Sequence, residues 1–115
     1  MVVKSNDLIE FESESGYEGV KKKFFIGRKD GSNEIIMRFF EVSPQKSTPF
    51  HSHPFQHLVK IEKGNGVVIN ADKSSTPISA GSLVYIHDNE MHCFTNTSET
   101  ETLEFICIVP DRGEK

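Results

Sequence analysis

The sequence predicts an all-β domain of the sandwich or barrel class. Three observations predict it. Short runs rich in branched and aromatic residues recur along the whole chain. Clusters of Gly, Asn, Asp, Ser and Pro separate them. No stretch has the length, apolar periodicity and end caps of a helix.

The runs fall at residues 22–26, 35–42, 57–62, 66–70, 82–86, 92–96 and 102–109. The first is preceded by a lysine run, Lys21 to Lys23, which reads as the solvated, protective charge of an edge strand. Asp30-Gly-Ser-Asn33 separates the first two runs, and Ser74-Ser-Thr-Pro77 reads as a loop. Lys63-Gly-Asn-Gly66 lies between two β runs and predicts a hairpin. Gly81 suits a tight bend into the next strand. In 102–109, Leu103, Phe105 and Cys107 share one face, and Glu104, Ile106 and Ile108 the other. Residues 35–40 are likewise apolar on both faces. One face then lines the interior and the other meets a partner sheet or subunit, which favours a homodimer.

At 115 residues the chain makes one domain (1–115, barrel core about 20–110), with Asp111 to Lys115 as a polar tail. A net charge of −4 argues against nucleic acid as a partner. No run approaches the ~20 apolar residues that cross a membrane. The start, MVVKSNDLIEF, lacks a secretory apolar core, so the default location is cytoplasmic. Cys93 and Cys107 are too few for a disulfide scaffold and too far apart for a paired-cysteine zinc motif.

Three of the five histidines lie between positions 51 and 57. His51 and His53, two apart on extended chain, point to one side with about 6–7 Å between their Cα atoms. Two such imidazoles can converge on one ion at about 2.0–2.2 Å from each nitrogen. Pro54 turns the chain, and His57, opening the next strand, can face back toward the pair. His92 opens a later strand that a barrel would bring to the same point. The alternative is that each is a surface or hydrogen-bonded histidine. His87, among Asp88, Asn89 and Glu90, reads as an exposed loop residue.

These segments resemble the two motifs of the cupin family. His51-Ser-His-Pro-Phe-Gln-His57 followed by Gly64 is similar to the first: a His-x-His pair, a Glu or His, then a glycine. Gly81-Ser-Leu-Val-Tyr-Ile-His-Asp-Asn-Glu-Met-His92-Cys-Phe-Thr-Asn96 is similar to the second, with Gly81, His92 and Asn96 in place. Further likeness, at Gly19-Val-Lys-Lys-Lys, Ile26-Gly-Arg-Lys-Asp, Met37-Arg-Phe-Phe-Glu-Val and Phe105-Ile-Cys-Ile-Val-Pro, points to small manganese-type cupins with an all-histidine site. The resemblance implies a double-stranded β-helix (jelly-roll) barrel, a homodimer, and metal ligands at His51, His53, His57 and His92. The sequence departs from the pattern at Gln45 and Asn89, which stand at glycine positions, and at His87, which stands at a proline position. His57 holds the usual glutamate position, and Gln56 stands where close relatives carry a glutamate.

Four neutral imidazoles would leave the charge of one divalent ion uncompensated and make it a strong Lewis acid. Manganese or iron is favoured; nickel, cobalt, zinc and copper would also accept these ligands. Six-coordinate manganese or iron would keep two positions open, whereas tetrahedral zinc would be saturated. Phe94, Phe105 and Cys107 lie in register to face inward if His92 does, as pocket or as plain core. Tyr85 reads as a packing residue near the mouth. No motif places Glu62, Glu90 or Glu104 near the ion, so no acid or base stands out. Three functions remain open: a metal-dependent dioxygenase-type oxygenase acting on a small molecule, a non-redox isomerase or lyase, and a non-catalytic module binding a metal or small ligand.

Overall fold

The computed structural model describes residues 1–12 and 16–111. Residues 112–115, most of the expected tail, lie outside that range. Eight strands run in chain order: β1 (Val20–Ile26), β2 (Ile35–Val42), β3 (His57–Lys63), β4 (Asn65–Ile69), β5 (Ser75–Ser79), β6 (Leu83–Ile86), β7 (Cys93–Asn96) and β8 (Leu103–Pro110). One sheet has the order β1-β2-β8-β3-β6 and the other β5-β4-β7, with all pairs antiparallel. Bridges from Ser47 to Thr95 and from His51 to His92 extend the second sheet past β7. The chain is a jelly-roll barrel.

Alternation decides which side chains fill it. β8 buries Leu103, Phe105, Cys107 and Val109 and half-buries the residues between them. β3 buries His57, Val59 and Ile61, while β2 turns Ile36, Arg38 and Val42 inward. Val68, Ile78, Ile86 and Phe94 close the core from the remaining strands. Asn96 is 1% exposed and ties the end of β7 to its surroundings. Its Nδ2 donates to the carbonyls of Val42 and Glu101, and its Oδ1 accepts from the Ser98 amide.

Four expectations need correction. Lys63-Gly-Asn-Gly66 is not a hairpin, because β3 and β4 belong to different sheets. Gly64 (φ 92°) turns the corner between them, and a Cβ there would sit 2.3 Å from the Thr102 carbonyl oxygen. The loop expected around 74–77 is the edge strand β5, where Pro77 opposite Val67 is tolerated because an edge leaves one row of amides unpaired.

The lysine run is not uniformly solvated. β1 is an edge, but Lys23 is 5% exposed on the outer side of the sheet. Its ammonium donates to the carbonyls of Asn6 and Ile9 and lies over the rings of Phe11, Phe25 and Phe39. Residues before β1 therefore cover part of the outer face, and that accounts for the apolar Phe39. Finally, Asp111 is not a loose tail residue: its carboxylate pairs with Arg28 and its amide donates to the Glu34 carbonyl.

Candidate functional site

The barrel opens into a cavity of about 300 Å³ between the two sheets. Three segments bring histidines to it. The extended segment ending at His51 is clamped to the start of β7 by paired bonds: the His51 amide donates to the His92 carbonyl, and the His92 amide to the His51 carbonyl. The bend at Pro54 and Phe55 leads the chain from His53 into β3, which His57 opens, buried on the inner side. The His53 ring stacks on buried Phe55, 4.9 Å between centres.

The four rings form one cluster. Their centres lie 4.3 Å apart for His51–His53, 5.4 Å for His51–His92, 5.3 Å for His53–His57, 5.1 Å for His57–His92 and 6.3 Å for His53–His92. Rings that share an ion at about 2.0–2.2 Å from one nitrogen each would have centres roughly 4.5–6.5 Å apart, depending on the angle. Four of these five distances fall in that range, and His51–His53, at 4.3 Å, lies just below it. The donor atoms do not yet form a coordination shell: no group of three or more His, Cys, Asp or Glu among the described residues could hold an ion as the side chains stand. Rotation about Cβ–Cγ would redirect the nitrogens while leaving the ring centres nearly in place.

The protonation chemistry also fits. Burial pushes His57 down to about 3, helped by Coulombic repulsion within the cluster, from His92, Arg38, His53 and His51. Burial likewise pushes His51 down to about 4, with His53, His92 and Arg38 adding to it. Both are neutral at pH 7, the form that offers a lone pair. The Nδ1 of His92 lies 2.8 Å from the Glu90 carbonyl, an acceptor only, so Nδ1 carries the proton and Nε2 is left as donor to an ion. The buried Nδ1 of His57 has no hydrogen-bond partner, which costs about 1–3 kcal/mol unless a ligand takes it up.

Phe94, Phe105 and Cys107 all stand on the cavity wall. Phe105 stacks between Phe94 and Phe40, at 4.6 and 5.2 Å. Tyr85 and His87 lie outside it, exposed and packed edge-to-face on each other at 4.7 Å. Gln56 is exposed and lines a second cleft with Leu58 and Ile108. Gln45 and Asn89, at the motif's glycine positions, adopt left-handed φ values of 62° and 65°, so the backbone keeps the turn that glycine would make without strain.

Sequence reasoning missed Tyr17, Lys22, Arg38, Phe40 and Thr48, which also line the cavity. Arg38 matters most. It is 9% exposed, donates from Nη2 to Cys107 Sγ at 3.0 Å, and lies 5.0 Å from the Phe40 ring centre. Alternation from the buried Ile36 could have turned it inward, but a lone arginine belongs to no motif.

Residues 38–109 match the cupin domain family, and the chain belongs to that family. It is similar to the polyketide cyclase RemF from Streptomyces resistomycificus (TM-score 0.87, 24% identity, 96% of this chain and 80% of that one). It is also similar to a cupin 2 domain-containing protein from Halorhodospira halophila (TM-score 0.76, 28% identity, 84% and 70%). A third likeness is to a predicted oxalate decarboxylase from Thermotoga maritima (TM-score 0.79, 25% identity, 96% and 98%). Among curated proteins it resembles the HTH-type transcriptional activator RhaS of Klebsiella pneumoniae, 29% identical over 68 residues, 59% of this chain and 24% of that protein. The Pectobacterium atrosepticum counterpart is 32% identical over 66 residues, 57% and 21%. The chain thus spans about a quarter or less of those activators. Among the described residues no helix is long and apolar enough to cross a membrane.

Proposed function

We propose that this cupin binds one divalent metal ion through His51, His53, His57 and His92 and acts on a small molecule in the adjoining cavity, first as a dioxygenase-type oxygenase. The observation that carries the reading is the cluster of four imidazoles, brought from three segments to ring spacings of 4.3 to 6.3 Å. Manganese or iron is the favoured ion, and its chemistry would be Lewis acidity and electron transfer.

The chain's own residues do the rest. The paired backbone bonds between His51 and His92 fix two ligands relative to each other. The Glu90 carbonyl sets the His92 tautomer. Phe94 and Phe105 restrict water and pack against an apolar substrate body. The full assignment is a soluble cytoplasmic homodimer.

Two other readings draw on the relatives. A non-redox reaction is supported by the likeness to a predicted oxalate decarboxylase, and a ligand-binding module by the likeness to part of a transcriptional activator. Elemental analysis of the purified protein is the first test. About one equivalent of metal is expected, falling sharply in His53→Ala; unchanged metal content in that variant sinks the ligand assignment. Oxygen uptake by manganese- or iron-loaded protein over a panel of small oxygen donors separates the oxygenase from the other two.

A further inference from the structure

The walls of the cavity carry two cationic side chains, Arg38 and Lys22, beside the four imidazoles, and among the described residues no Asp or Glu lines it. A concave, low-dielectric site with charge of one sign focuses its field on an anion.

The guanidinium is also held in place. β2 and β8 pair Arg38 directly with Cys107, whose sulfur accepts from Nη2 at 3.0 Å, and Phe40 lies against the cation at 5.0 Å. A positioned, planar guanidinium has the fork geometry that matches a carboxylate. Next to it runs an aromatic wall, Phe40 against Phe105 at 5.2 Å and Phe105 against Phe94 at 4.6 Å. A volume of about 300 Å³ admits only a small ligand.

We propose that the cavity binds a small organic carboxylate, with Arg38 receiving the anionic end and the Phe40–Phe105–Phe94 wall taking the apolar body. The inference rests on reading the cavity as the substrate site and assigns that substrate a class. Arg38 would be a substrate-binding residue, and oxygens of the bound molecule remote from Arg38 would face the histidines.

Benzoate and its neutral analogue benzamide are the probes, titrated calorimetrically into metal-stripped and manganese-loaded full-length protein. Benzoate should bind the metal-stripped protein at least about tenfold tighter than benzamide, as hydrogen bonds to a charged partner outweigh neutral ones. Arg38→Gln should abolish that preference while manganese content stays that of the native protein. The proposal is overturned if the two probes bind alike, if neither binds, if inorganic phosphate outcompetes benzoate, or if Arg38→Gln keeps the preference. Should Arg38→Gln fail to fold, the native benzoate–benzamide ratio and its decline with added salt decide alone. A preference for benzoate in a protein whose metal content ignores His53→Ala would sink the four-histidine reading and leave this one standing.

Discussion

His51 and His57 are held neutral by burial and by Coulombic repulsion from Arg38 and the other rings of the cluster, at about 4 and about 3 against an ordinary 6.5. The sign of the consequence follows from linkage. The unfolded chain takes up protons on these rings below about pH 6.5 while the folded chain does not, so their full contribution to stability is present above that pH. It is lost progressively as pH falls toward 4 and then 3. Urea unfolding of metal-stripped protein should therefore give a lower stability at pH 5 than at pH 7.5, a window above ordinary carboxylate titration. The slope should shrink when His57 is replaced by Gln; a flat profile in the native protein would contradict the burial argument. At this scale the histidines were legible because their spacing is a pattern. Arg38 was not, because what gives it meaning is a sulfur 69 positions away.

Among elements, the informative case is the corner at Gly64. Glycine and asparagine between two β runs signal a reversal, but a reversal can close a hairpin or step between sheets. The choice depends on what else pairs with the flanking strands. β3 lies between β8 and β6, and β4 between β5 and β7, so no edge is left for the two to share. The corner also lies against the 102–103 backbone. Gly64→Ala combines a left-handed φ with a Cβ 2.3 Å from the Thr102 oxygen, and should cost roughly 2–4 kcal/mol. Thermal melting should show a drop of about 10 °C or more; a drop of a degree or two would mean that the corner relaxes freely. β5 escaped sequence reading for a related reason. Its pattern is exposed at four of five positions, so it lacks the alternation that marks a half-buried strand, and Pro77 argued against it.

For the whole molecule, the question is what covers the outer face of the five-stranded sheet. The N-terminal segment covers the β1–β2 end through Lys23 and Phe11. Farther along, Leu58 pairs across to Ile108 on one side and Tyr85 on the other, and Leu83 faces out two residues before Tyr85. Leu58 is 54% and Leu83 78% exposed in the single chain. Lys60 stands across from Leu83 within this group, and the proposed homodimer would cover these exposed apolar side chains. Analytical ultracentrifugation at micromolar concentration should find a dimer, and Leu58→Glu should shift it to monomer. A native monomer would remove the dimer from the reading. At the β1–β2 end the two-sided apolar pattern has its cause within the chain, in the N-terminal segment, which the sequence pattern could not tell from a subunit contact.

The sequence by itself determined the β class, seven of the eight strands, which residues of β8 share a face, and the histidine pattern that the four clustered rings carry. These are local properties, set by periodicity of two and by turn chemistry, and so they can be read in order along the chain. Tertiary structure decided the rest. It turned an expected hairpin into a sheet-to-sheet corner, placed Lys23 under the N-terminal segment, and brought Arg38, Cys107 and the Phe40–Phe105–Phe94 wall to the histidines. Each of those outcomes depends on pairings between strands distant in sequence. Such pairings are chosen by which faces can be buried together, a property of the assembled barrel and not of any one segment.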